Sequence, residues 1–152
     1  AHSEEYARRC IFYFEEFVHQ AHDFTNTGEA KHMDEMCYYA LIMMAHAHNF
    51  IGNKKDAEEH FLLAEQFQPE RNEHLVYLCI FLEHQGRQND MIQYIDKMLE
   101  PERVNPFPKL SFLIENRAYY NTSDYLIQLK KRIQKQSEEF SINLDSITFD
   151  FK

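Results

Sequence analysis

Between Tyr38 and Arg103 apolar residues recur every three or four positions, and the pattern restarts after 34 residues. Leu41, Met44, Ala45 and His48 mark one helical face ahead of Gly52, and Leu75, Leu78, Cys79 and Leu82 mark the matching face ahead of Gly86. Beyond Gly52, Ala57, Phe61 and Ala64 share a face until Pro69; beyond Gly86, Met91, Ile95 and Met98 do so until Pro101. This spacing is that of amphipathic helices, and a glycine just past each run with a proline further on reads as a helix stop. Two successive helical hairpins follow. The small side chains of Ala45, Ala57 and Ala64 allow close helix approach, while Leu41 and Phe61 fill the space between ridges. One hairpin cannot cover its own apolar side, so further helices must stack on both ends.

The flanking pattern supplies them. A helix from Ser3 to about His22 carries Tyr6, Cys10, Tyr13, Phe14, Phe17 and Ala21 on one face, with Phe12 off it. The polar turn Asp23 to Gly28 ends it. A second helix, from Glu29 or His32 to Phe50, is apolar on most sides and belongs in the middle of the stack. The next starts at Asn53 or Lys54 and runs to Phe67, Asn72 caps a helix from Glu73 to Gln85, and Asn89 or Asp90 opens its partner to Leu99. Glu100 to Pro108 holds three of the four prolines and reads as a loop. Leu110, Leu113, Ile114 and Ala118 predict another helix, and Ser123 caps the last, with Tyr125, Leu126, Leu129 and Ile133 inward. Lys130, Lys131, Arg132 and Lys135 fall where cations oppose a helix's carboxyl end. From Ser137 to Lys152, Phe140, Ile142, Leu144, Ile147, Phe149 and Phe151 alternate loosely with polar residues, as in an extended segment. The expected organisation is an all-α stack of about seven helices over residues 1–136, with residues 137–152 an extended tail lying on the stack or on a partner.

At 152 residues the chain suits one domain. Three glycines argue against a phosphate-cradling glycine loop. A net charge of −9 leaves no basic surface for nucleic acid or an anionic membrane. Cys10, Cys37 and Cys79 have neither metal nor redox spacing and read as reduced thiols, which places the chain in the cytoplasm or a similar reducing setting. No apolar run is long enough to span a bilayer. The chain begins at Ala1 rather than methionine, as expected of a domain excised from a larger protein.

Ala45, Gly52, Ala57, Phe61, Ala64 and Pro69 resemble the tetratricopeptide family over Tyr38 to Arg71, more weakly to Arg103 and loosely to Gln136. The chain departs from that pattern at Cys79, Met91, Met98 and Tyr120, which implies irregular packing. A second resemblance lies in Ala57-Glu58, Phe61, Ala64 and Pro69 to Leu75, then Phe112 to Tyr120. These stretches are similar to helical regions that follow the catalytic domain of inverting, nucleotide-sugar-dependent glycosyltransferases. The implication is an accessory region whose catalytic domain lies elsewhere, and the chain holds no Asp-x-Asp pair for a metal–nucleotide.

Nine histidines raise the question of metal. Glu16 with His19 and Glu29 with His32 have the i, i+3 spacing of di-iron bundles, but such sites also need inward carboxylates from two other helices, and Glu29 and His32 sit at a helix start with no apolar inner face around them. His19 with His22 lacks further zinc ligands. The pattern therefore predicts no metal, no cofactor and no catalytic residues. In stacked hairpins the first helix of each pair lines a concave groove. Here that groove would comprise Tyr39, Ile42, Met43, His46, Asn49 and Phe50, then Glu73, Val76, Tyr77, Ile80 and His84. Its aromatics and methionine suit a protein or peptide partner, unless the first helix or the tail already fills it. The lysine–asparagine clamp for a C-terminal carboxylate is replaced by Ile42 and His46. His48, between two helices, is expected to be a hydrogen-bonded core histidine. The reading is a non-catalytic docking, substrate-presenting or dimerising module, whose partner could be a catalytic domain of the same parent chain or a second copy. The alternatives are a free-standing cytosolic peptide-binding adaptor and a small helical metal-binding or catalytic protein.

Overall fold

The structure, a computed structural model, describes residues 2–23, 30–101, 103 and 123–150. Among them are six helices and no strand: α1 (His2–Asp23), α2 (Ala30–Phe50), α3 (Lys54–Ala64), α4 (Glu73–His84), α5 (Gln88–Met98) and α6 (Ser123–Asp150). The all-α class and the five helix starts up to α5 follow the apolar period. The predicted helix around Leu110 and most of the proline-rich loop lie outside the described residues. Among the described residues no helix is long and apolar enough to cross a membrane.

The 34-residue recurrence is expressed in the backbone of the two turns. Gly52 and Gly86 both adopt positive φ, 89° and 71°, a region that costs other residues energy. The amide just after each glycine reaches back five residues, Asn53 N–H to the His48 carbonyl at 2.8 Å and Arg87 N–H to the Leu82 carbonyl at 2.9 Å. The glycine amides bond to Asn49 and Glu83 at 3.2 and 3.0 Å. The 6→1 bond over a left-handed glycine is the Schellman closure, which satisfies carbonyls the helix end would otherwise leave open.

The chain divides into two compact units, one running to Leu78 and including Arg103, the other beginning at Cys79. In the first, α2 packs against both α1 and α3. Its core holds Tyr38, Leu41, Ile42, Met44 and Ala45 from α2, with Ala57, Phe61 and Ala64 from α3, all nearly inaccessible. The predicted α3 face is thus the buried one. Ala64 has no exposed surface, so Ala64→Phe should overpack the α2–α3 pair. A loss of about 1–3 kcal/mol is expected, read as a lower urea midpoint.

On α1 the inward face is rotated from the expected one. Ala21 is buried and Phe14 and Phe17 are partly covered, but Tyr6 and Tyr13 are 69% and 67% exposed. The stripe that turns inward is Cys10, Ile11, Phe14, Phe17, Val18 and Ala21. Two aliphatic residues in it, Ile11 and Val18, displace the two tyrosines, whose hydroxyls are better left in water.

In the second unit, Met91, Ile95 and Met98 of α5 and Leu126, Leu129 and Ile133 of α6 are buried, and α5 packs on α6. Two expectations fail here. Helix α6 continues to Asp150, so the segment from Ser137 is helical and not extended. Phe140, Leu144 and Ile147 are spaced i, i+4 and i+7, a helical stripe that the looser alternation concealed, and no Gly or Pro interrupts it. The basic cluster therefore sits in mid-helix rather than at a carboxyl end. Lys130 instead pairs with Asp96 of α5 at 2.5 Å, and Lys131, Arg132 and Lys135 are exposed.

Candidate functional site

The first unit contains two concentrations of polar chemistry, one closed and one open. The closed one gathers around the start of α4. Tyr38 and His74 have no exposed surface. The Tyr38 hydroxyl accepts the His74 backbone N–H at 3.0 Å and shares a hydrogen bond of 2.8 Å with His74 Nδ1. On the other side of the ring His74 Nε2–H donates to the Glu65 carboxylate, which can only accept. Arg103 grips both Glu65 oxygens at 2.8 and 3.1 Å, Asn72 Oδ1 at 2.8 Å and the Arg71 carbonyl at 2.8 Å. Burial pushes the Glu65 carboxyl up, but the hydrogen bonds from His74 and Arg103 outweigh it and hold the group at about 2. Arg71 lies over the rings of Tyr38 and Tyr39 and bonds the Tyr39 hydroxyl and Glu73 Oε1, each at 2.7 Å. A tyrosine, imidazole and carboxylate in series could relay a proton, but Tyr38 and His74 are inaccessible to a substrate. The arrangement is a clamp joining α2, the end of α3 and the start of α4 to Arg103.

The clamp and the core absorb much of the predicted groove. Ile42, Glu73, Val76 and Tyr77 are buried, at 0–3% exposure, and so offer nothing to a partner. Tyr39 is engaged with Arg71 and Glu73. Met43 lies with Tyr39, Phe14 and Phe17 in a shallow cleft where α1 meets α2. The first helix therefore borders part of the face on which a partner was expected. His46 stands edge-on between Phe61 and Tyr77, ring centroids 5.3 and 4.6 Å away. Burial lowers it to about 4, and its Nε2 has no hydrogen-bond partner among the described residues. Asn49 receives Lys54 at the hairpin tip, and Phe50 is exposed. Ile80, half-buried, and His84, exposed, belong to the other unit.

The open feature is a trough of about 520 Å³ bounded by α1, α2 and α3. The buried Leu41 and Met44 of α2 underlie it, and Ile11 and Val18 of α1, Leu63 of α3 and Phe67 just past that helix give its accessible apolar lining. Its polar groups are Glu15 and His19 on α1, Asp34 and His48 on α2, and Asp56 and His60 on α3. The His48 and His60 rings lie 4.8 Å apart. His60 Nδ1–H donates to the Asp56 carbonyl at 2.6 Å, while His48 Nδ1 receives the Asn53 amide at 3.4 Å. Burial and then the neighbouring His60 lower the His48 imidazole, against the pull of Asp56 and Glu15. His48 is hydrogen-bonded, as expected, but it forms a trough wall rather than a closed core.

This trough was missed because α2 is apolar on most sides, so its period does not say which face stays open. A usable signal exists in Glu15 with His19 and Asp56 with His60, two acid–imidazole pairs at i, i+4, each on one helical face. Among the described residues no three His, Cys, Asp or Glu side chains are placed to hold a metal ion. The Glu29–His32 pair lies outside the described side chains. No protein-family model, curated protein or solved structure matches the chain.

Proposed function

We propose that the α1–α3 unit is a non-catalytic docking module, of helical-repeat type, that receives an apolar segment of a partner protein. The open trough between three helices carries this reading. Its volume of about 520 Å³ falls in the range of ligand-binding pockets. Its accessible apolar lining is Ile11 and Val18 of α1 with Leu63 and Phe67, side chains left only partly covered by the fold, over the buried Leu41 and Met44. The clamp at the start of α4 fixes the end of α3 relative to α2 without any ligand, so little ordering is left for binding to impose.

The test uses displayed peptides of about 15 residues, long enough to span the trough as a helix at 1.5 Å per residue. They are panned on the full chain and counter-screened on Leu63→Asp. Leu63 lines the trough yet is 38% exposed, so the substitution should leave the urea midpoint almost unchanged. Selected peptides should lose about tenfold or more in affinity by fluorescence anisotropy, equivalent to 1.4 kcal/mol. Peptides bound equally by both proteins would show that the trough is not the docking surface.

A further inference from the structure

The charges around the trough say more about its occupant than its apolar floor does. Among the described residues lining it there are three carboxylates, Glu15, Asp34 and Asp56, and no Lys or Arg. The carboxylates sit in two groups. Asp34 stands near the start of α2, whereas Glu15 and Asp56 both act on His48 near its end. Along α2 these places are separated by about 20 Å at 1.5 Å per residue. Leu41 and Met44, themselves buried, lie between them along α2, and the apolar surface left accessible in the trough is that of Ile11, Val18, Leu63 and Phe67. The trough therefore has an acidic group at each end and an apolar middle.

We infer that the occupant is a peptide segment of a partner protein with an apolar centre and a Lys or Arg near each end. The proposal rests on the docking reading above. Lysine and arginine suit such a place because their aliphatic stems cover apolar surface while the charged head stays at the rim. The separation matches a short helix or strand rather than a compact molecule. Burial and then His60 lower the His48 imidazole, which disfavours a charge there that would offset the carboxylates. The chain's net charge of −9 adds a long-range field of the same sign.

The peptides selected on the full chain supply the probes. Those that depend on Leu63 should carry Lys or Arg at both ends, and exchanging these for glutamine should weaken binding about tenfold, or 1.4 kcal/mol. Asp34→Asn and Asp56→Asn should each weaken the basic form several-fold and leave the glutamine form unmoved. Affinity should also fall with added salt. Leu63-dependent peptides that are neutral or acidic, or basic ones insensitive to both asparagine variants, would overturn the charge assignment while the docking reading stood. Spermine binding the same place more tightly than any selected peptide would overturn it too, because the occupant would then be a free polyamine. If no selected peptide depends on Leu63, docking itself fails and the charge assignment with it.

Discussion

Arg103→Ala should lower the free energy of unfolding by about 3–5 kcal/mol, the range seen when one partner of a buried ion pair is removed. The guanidinium is only 5% exposed and makes four hydrogen bonds, two to Glu65 and one each to Asn72 and the Arg71 carbonyl. Without it the Glu65 carboxylate loses its bidentate partner while still accepting from His74. Arg103→Lys should recover part of the loss, since an ammonium restores the charge but not the planar fork. Urea titrations at pH 7 would measure both, with the slope unchanged if only stability is altered. An Arg103→Ala midpoint equal to the parent's would mean that the clamp contributes nothing to the fold. Because Glu65 is held at about 2, below its ordinary value, its share of stability is present above pH 4.5 and is lost as the pH falls toward 2.

A second large effect should appear at milder acidity. His46 is held at about 4 by burial, against an ordinary value of 6.5, so protonation favours the unfolded chain. The sign follows directly: the contribution is complete above pH 6.5 and disappears as the pH falls from 6.5 to 4. At about 1.4 kcal/mol per pH unit, His46 should cost the fold about 2–3 kcal/mol across that window. His48, lowered by burial and by His60, adds a loss of the same sign beginning in the same range. His46→Phe keeps a ring between Phe61 and Tyr77 and removes the titrating group along with the Nε2 that lacks a partner. The difference in pH dependence between parent and variant, from urea unfolding at pH 7 and pH 4.5, isolates His46. Parallel stability curves would show that His46 does not titrate as a buried group.

What the amino-acid pattern reveals here is what depends on neighbours three to seven positions away. The turns at Gly52 and Gly86, the inward faces of α3 and α5, and Leu126, Leu129 and Ile133 on α6 are all of that kind. The clamp is of another kind. Tyr38 and His74 are 36 positions apart, and Glu65 and Arg103 are 38 apart. No periodicity encodes such a meeting, and Arg103 stands in a proline-rich stretch that reads simply as loop. Which face of α2 stays open is hidden for a different reason. A helix as uniformly apolar as α2 must be buried on several sides, but which neighbour covers which side is decided by tertiary packing. Here α1 took the side with Tyr39 and Met43 and left Leu41, Met44 and His48 along the trough. The far part of α6 reads as extended because Phe140, Ile142 and Leu144 alternate with a period of two, while the helical spacing lies in Phe140, Leu144 and Ile147.

The clamp also bears on how the first unit comes apart. Its partners are brought together by long loops of chain, whose closure entropy must be met before any bond among them forms. Local turns and hairpins can assemble without waiting for it, so the clamp is expected to close after the summit of the folding barrier, with Arg103→Ala raising the unfolding rate more than it lowers the folding rate. A contact made after the summit adds little to the rate of assembly and acts mainly on the rate of escape. Arg103 and Glu65 thus set the lifetime of the folded unit more than the speed at which it is reached.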